Sequence, residues 1–256
     1  MTPAALDATY RAQFEAALAR GRAAPHTIPA QTPALLAWMK THTGGRLGAS
    51  EAGRTWVWSD LHLDHAEVVW CFNRPFRTSQ AMCRALVEAW RETVDESDRI
   101  ICLGDVTVGV TKRRLDQALA TLPGTRVLVV GNHEFPNGGA GVKDYGFEAV
   151  HPTLVCETDP PLLLTHEPLD VVPVKAVNVH GHLHGTAARA MARCSRYHLN
   201  VNVELTSFRP VRLSELATTA RALLAGDVEP QPTTAGTIAR ALELRAKQRG
   251  RPEATA

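Results

Sequence analysis

Apolar positions along the chain fall into two rhythms. Leu6, Tyr10, Phe14 and Leu18 recur every four residues, as do Met82, Leu86, Trp90 and Val94, the spacing of one helical face. Thr78 or Ser79 can cap the start of the second helix. Further helices are predicted over 112–122, where Pro123-Gly124 stops the run, from about Ser214, and over 237–247. Between them lie short apolar, β-forming runs at 54–59, 99–103, 126–130, 153–156, 162–165, 177–179 and 198–203. The runs at 153–156 and 162–165 read as a hairpin pair. Alternation of such strands with helices predicts an α/β domain. Pro25, Pro29 and Pro33 break regular structure near the start, and 35–39 reads as a short helical turn. The glycine-rich stretch 43–53 reads as a linker. We therefore divide the chain into a helical, Pro-rich extension (1–50), a main α/β domain (51–216) and an Ala-, Arg- and Pro-rich tail with a helix (217–256). The N-terminal arm is expected to serve packing or oligomerisation, with a substrate lid as the alternative.

The polar residues at the ends of these runs carry the chemistry. The first strand runs into Asp60-Leu61-His62, the second into Gly104-Asp105, the third into Gly131-Asn132-His133-Glu134, and a later one into His166. The stretch Val177-Asn178-Val179-His180-Gly181-His182-Leu183-His184 closes the series. An extended backbone there would point His180, His182 and His184 the same way, whereas a turn after Gly181 would send His182 and His184 to two separate points. Carboxylate, amide and imidazole ligands together suit Mn²⁺, Fe or Zn²⁺ better than Ca²⁺ or a thiolate site. Asp60, His62, Asp105, Asn132, His166, His182 and His184 are too many for one tetrahedral ion and fit two ions that share a carboxylate.

In order and spacing, Asp60-x-His62, Gly104-Asp105, Gly131-Asn132-His133-Glu134, His166 and Gly181-His182-x-His184 resemble the calcineurin-like metallophosphoesterase superfamily. The resemblance spans residues 60–184, about half of the chain. It implies a four-layer α-β-β-α sandwich with the site at one edge, and a binuclear centre holding two divalent ions, foremost Mn²⁺, with Fe or Zn²⁺ as alternatives. Asp60, His62 and His184 would hold one ion and Asn132, His166 and His182 the other, with Asp105 bridging. His133 would contact the substrate phosphate and act in catalysis. The implied activity is hydrolysis of a phosphodiester or nucleotide-type phosphate ester by metal-activated hydroxide. A nuclease of the same superfamily and a non-catalytic metal-binding scaffold are the alternatives.

Several neighbours have two readings. His65 lies near the substrate phosphate or caps the helix it begins. Arg74, in Asn73-Arg74-Pro75-Phe76-Arg77, pairs with substrate phosphate or with a carboxylate. Glu134 and His180 stand behind the ligands and orient them. Asp64 occupies a place where related sequences carry a small residue. Lys112-Arg113-Arg114 is either an anion contact or a solvated basic face. Trp56, Trp58 and Cys102 read as core.

Composition bounds these readings. The net charge of +2 is too small to demand a nucleic-acid partner. Residues 1–50 carry five basic and two acidic side chains and 217–256 carry six and four, which leaves 17 basic and 20 acidic in the centre. That mildly acidic centre suits cations. With aromatics at only 5%, the stacking surface expected of a nuclease is sparse, so nucleic acid is a disfavoured partner. Five scattered cysteines without CxxC spacing argue for free thiols. No run of about 18 apolar residues occurs, which excludes a transmembrane helix and a membrane partner, and no signal sequence is visible, so a cytoplasmic location is expected.

Overall fold

Two β-sheets of five strands each are built from β1 (Gly45–Gly48), β2 (Thr55–Trp58), β3 (Arg99–Cys102), β4 (Thr125–Val129), β5 (Ala149–His151), β6 (Leu154–Glu157), β7 (Leu162–Leu164), β8 (Val177–His180), β9 (His198–Asn200) and β10 (Val211–Arg212). The computed structural model describes residues 44–107, 119, 121–134, 146–169, 172–185 and 195–249. One sheet has the order β1-β6-β7-β8-β9 and the other β10-β2-β3-β4-β5. In each, all neighbours are parallel except one pair: β6 with β7, and β10 with β2. Helices α1 (Ala66–Cys71), α2 (Ser79–Thr93), α3 (Leu213–Ala225) and α4 (Thr234–Arg249) complete the described α/β fold.

Side-chain alternation divides the core in two. Val57, Ile101, Val127 and Val129 of the second sheet share one buried cluster with Leu154, Cys156, Leu162, Leu164, Val177 and Val179 of the first. The residues between them in sequence, Trp58, Ile100, Cys102 and Leu128, point to the opposite face and pack on Met82, Leu86 and Trp90 of α2. This is period-two patterning meeting a helical face of period four. Thr78 caps α2 by accepting a hydrogen bond from the Ala81 amide at 3.1 Å. Trp58 and Trp90 meet edge to face with centroids 5.7 Å apart. Each fully buried side chain of this size contributes about 1.5–3 kcal/mol, so the α2 stripe anchors the helix more firmly than its intrinsic propensity does.

The core runs across both domain limits drawn from the sequence. The supposed linker contains β1, which pairs with β6, and a 3₁₀ turn, Ala49–Arg54. Glu51 holds that turn by accepting from the Gly48 amide at 3.0 Å and pairing with Arg99. The limit at 216 cuts α3, whose Leu213, Leu216, Ala220 and Leu223 all lie in the inter-sheet core. Strand β9 stops at Asn200, short of Val203, which begins a 3₁₀ turn. The arm at 1–43 and most of the helix expected at 112–122 lie outside the described residues. Among the described residues, no helix is long and apolar enough to cross a membrane.

Burial controls thiol chemistry here. Cys102 and Cys156 are buried while Cys71 is exposed, and burial pushes the Cys102 thiol up to about 12 and raises Cys156 as well. Iodoacetamide at pH 8 should therefore modify Cys71 in the native protein and reach Cys102 and Cys156 only after unfolding, as read by peptide mass spectrometry. Labelling of the buried pair at the rate of Cys71 would contradict a closed core.

Candidate metal centre

Parallel strands deliver their C-terminal ends to one edge, which is where α/β sheets place sites. Strands β2, β3 and β4 run into Asp60, Asp105 and Asn132, and β7 and β8 run into His166 and Gly181. To turn donor side chains inward, the backbone adopts the left-handed region at Asp60 (φ 59), His62 (φ 49), Asp105 (φ 52) and His182 (φ 63). Such residues cost on the order of 1 kcal/mol or more each and persist where the surroundings enforce them. Backbone bonds supply that enforcement: Asp60 N–H donates to Gly104 O (3.2 Å), His62 N–H to Asp105 O (3.0 Å) and Gly181 N–H to His166 O (2.9 Å). Two further bonds cross between the sheets. The His182 amide donates to the Asp60 carboxylate at 2.9 Å, and His166 Nδ1 donates to Leu103 O at 2.7 Å.

The donor atoms gather in three overlapping groups, within each of which all atoms lie within 4.8 Å of one another: Asp60, His62 and His184; His62, Asp105 and His133; Asp105, His166 and His182. Asn132 joins the last group, its Oδ1 being 3.0 Å from both His166 Nε2 and His182 Nδ1. Asp105 Oδ2 is the hub, 3.3 Å from His166 Nε2, 3.7 Å from His62 Nε2 and 3.8 Å from His133 Nε2. His184 Nε2 lies 3.6 Å from Asp60 Oδ1.

Tautomers follow from what stands behind each ring. A neutral imidazole has one N–H. His166 gives its Nδ1–H to Leu103 O, which leaves Nε2 as a lone-pair donor facing Asn132 and Asp105. His184 gives its Nδ1–H to Glu204, 3.1 Å away. His62 Nδ1 lies 3.2 Å from His65 Nδ1, and His65 Nε2 lies 3.0 Å from Glu67. With His65 Nε2–H donating to the Glu67 carboxylate, His62 Nδ1–H donates to His65 Nδ1 and its own Nε2 carries a lone pair. That Nε2 is buried and has no hydrogen-bond partner. An orphaned buried nitrogen is costly, and a cation among Asp60, Asp105 and His184 would satisfy it. The residues fit metal ions.

Electrostatics point the same way. Burial alone would raise Asp105, but His166 and the neighbouring imidazoles hold it well below the usual carboxylate range. Burial works against a charged His166, yet Asp105 outweighs it and lifts His166 to about 10. Burial and the adjacent His166 push His182 down to about 3. Positive charge is thus drawn to the hub, and a cation binding there would displace the His166 proton. Burial and Asp105 push Glu134 up to about 7.

The structure brings Asp60, His62, Asp105, Asn132, His133, His166, His182 and His184 together, and places four other expected residues as follows. Glu134 accepts from the amides of Gly131 (2.7 Å), Asp105 (2.9 Å) and Val106 (3.0 Å), so it holds the Asp105 loop. His65 stands behind His62, and its side chain does not cap α1. His180 is buried on β8, bonded through Nδ1 to Gly181 O, outside the donor groups: the chain turns after Gly181 and the three histidines do not share a direction. Of the two readings of Arg74, the pairing with a carboxylate is the one found, and the substrate contact is not. Its side chain is fully buried and bonded to Glu204, so it cannot meet a substrate. Sequence reasoning missed Glu204 and Phe72, which stacks on His184 with centroids 3.8 Å apart. The signal for Glu204 was the alternation Asn200-x-Asn202-x-Glu204 in a run otherwise made of Val and Leu, since polar groups at buried positions need partners.

Fold and site together define an α/β protein with a buried carboxylate–imidazole cluster that could hold metal ions. No family model matches the chain. It is similar to the uncharacterized protein MJ1445 of Methanocaldococcus jannaschii, 27% identical over 161 residues, 60% of this chain and 84% of that protein. It is also similar to the gene 66 protein of Mycobacterium phage D29, 36% identical over 84 residues, 32% of this chain and 41% of the phage protein. Among solved structures, the protein of unknown function AQ665 from Aquifex aeolicus matches 63% of this chain and 96% of its own, with 22% identity and a TM-score of 0.48.

The close approach at Gly181 yields a test. A Cβ there would overlap the Ser59 side chain and the Asp60 carboxylate. Gly181→Ala should destabilise the fold by about 1–3 kcal/mol, the range of overpacked cores, as measured by urea denaturation. Unchanged stability would show that the two sheet edges are not locked at this point.

Proposed function

We propose that the protein is a binuclear metal-dependent phosphoesterase of the calcineurin-like metallophosphoesterase type, acting on phosphodiester or nucleotide-type phosphate esters. On this reading the two sheets form the middle of a four-layer sandwich. Asp60, His62 and His184 hold one ion, Asn132, His166 and His182 hold the other, and Asp105 lies between them. The observation that carries the proposal is the orphaned His62 Nε2 beside two donor groups joined through Asp105. Mixed oxygen and imidazole donors suit Mn²⁺, with Fe or Zn²⁺ as alternatives. Bound there, two divalent ions supply Lewis-acid charge that acidifies water near neutral pH and offsets charge developing on phosphoryl oxygens.

The chain's own groups divide the remaining work. His133 is only partly buried, with 32% of its side chain exposed, and its backbone N–H donates to Asp105 Oδ1 at 3.0 Å. That backbone bond fixes the ring over the hub, where it can touch a substrate phosphoryl oxygen and give a proton to the leaving oxygen. Asp105, held well below the usual carboxylate range, supplies the shared negative charge, and His65, Glu134 and Glu204 hold ligands in place from behind.

Hydrolysis of bis(4-nitrophenyl) phosphate with added Mn²⁺ tests the proposal: turnover should require the divalent ion and stop with EDTA. Two bound ions in the wild-type protein without turnover of any aryl monoester or diester would favour the non-catalytic scaffold instead. Asp105→Asn should abolish turnover and reduce the Mn²⁺ retained after gel filtration, because the shared charge is lost. By contrast, His133→Ala should retain Mn²⁺ while turnover falls about 10²–10⁴-fold, the range for a lost acid–base group. Full activity of His133→Ala on a poor leaving group would remove that residue from the mechanism.

A further inference from the structure

Behind the cluster lies a buried ion pair whose bonds all converge on one half of it. Arg74 follows α1, and its side chain is inaccessible to solvent, as is nearly all of Glu204. Arg74 Nε donates to Glu204 Oε1 at 2.6 Å, Nη2 donates to Asp60 O at 2.7 Å, and Nη1 donates to Leu61 O at 2.9 Å, with Met82 Sδ 3.2 Å from Nη1. Glu204, in the 3₁₀ turn Val203–Leu205, accepts from His184 Nδ1 and from the Gly185 amide, each at 3.1 Å. Asp60 and His62 come from the loop after β2, and His184 from the loop after β8. The pair therefore joins the backbone of one loop to the ring of the other.

Stability alone does not account for such a pair. Burying two charges carries a desolvation cost that their attraction only roughly repays, and apolar replacements of similar size are often as stable. What the charges add is direction. The left-handed backbone at Asp60 and His62 turns the Asp60 and Leu61 carbonyls inward, where the planar guanidinium supplies donors at fixed angles. The carboxylate can only accept, so it fixes the proton of His184 on Nδ1 and leaves Nε2 for a cation. Asn132, His166 and His182 have no bond to Arg74 or Glu204, and His166 is oriented by Leu103 O instead.

The geometry points to Arg74 and Glu204 as a positioning pair for the Asp60–His62–His184 half of the metal centre, selective for that half. This inference rests on the metal-centre reading above. Partners behind a metal ligand typically change affinity 10–100-fold, and here the change falls on one ion of two.

The test is Mn²⁺ retained per chain after gel filtration, by elemental analysis, together with Mn²⁺ titration and the melting temperature of the metal-free protein. Wild type should retain two ions. Glu204→Gln should retain one, with the dissociation constant of the weaker site raised 10–100-fold. The double variant Arg74→Met/Glu204→Gln leaves neither charge unpaired; it should fold even if the single variant does not, and should show the same loss. In either background, His184→Ala should cost no further ion, whereas His182→Ala should remove the one that remains, because changes at one site do not add and changes at separate sites do. Variants that keep both ions at wild-type affinity, or lose both together, would overturn the inference while leaving the metal centre standing. A wild-type protein that retains no Mn²⁺ would overturn the metal-centre reading, and this inference with it.

Discussion

A buried carboxylate must be compensated where it stands, and Asp105 sets that requirement for the whole site. Its side chain is 3% exposed, and an ionised group so placed is untenable without opposite charge or several donors. Oδ1 takes the His133 backbone N–H, and Oδ2 faces His62, His133 and His166. Glu134 fixes the loop from behind through the Asp105 and Val106 amides. Asp60, fully buried as well, repeats the demand a few ångströms away. Asp105 meets this by lifting His166 to about 10, while burial raises Asp60 above the usual carboxylate range; a cation bound between the two carboxylates would take the place of those protons.

The demand explains where the backbone departs from regular geometry. The left-handed residues at Asp60, His62, Asp105 and His182 fold the ends of both sheets toward each other, and Gly181 allows the β8 turn to close on Ser59 and Asp60. The inter-sheet core behind them supplies the rigidity that holds these strained positions.

The sequence made the hub legible because strand-end residues carry a strong local signature. A short apolar run followed by Gly-Asp, Gly-Asn-His or Gly-His names both the strand and the donor it delivers, and β2, β3, β4, β7 and β8 are found where those runs predict. Strand β1 escaped notice because Gly45-Arg46-Leu47-Gly48 has linker composition, and its place is set by β6 alongside it. Strand β10 is only two residues long, below any periodic signal. The roles of Arg74 and His65 stayed open in the sequence for a different reason. Chain position puts each near the cluster, but whether a cation or ring faces the opening or the interior depends on a partner far away in sequence. For Arg74 that partner is 130 residues off.

The proposed pair of ion positions is not symmetric, and the asymmetry lies behind the ligands. His184 is backed by a carboxylate, and His62 by a second imidazole that itself ends on Glu67. His166 is backed by a backbone carbonyl. An anionic partner raises the basicity of the opposite ring nitrogen more than a neutral one does. The first half therefore has one ring, His184, backed directly by a carboxylate. The second offers the neutral Asn132 amide and a His182 that burial and its neighbour keep deprotonated. Asp105, standing between them, is the one charged group both halves can share, and an ion in either half weakens its hold on the other. On the proposed two-ion reading, occupancy of the two halves would be linked through that single carboxylate.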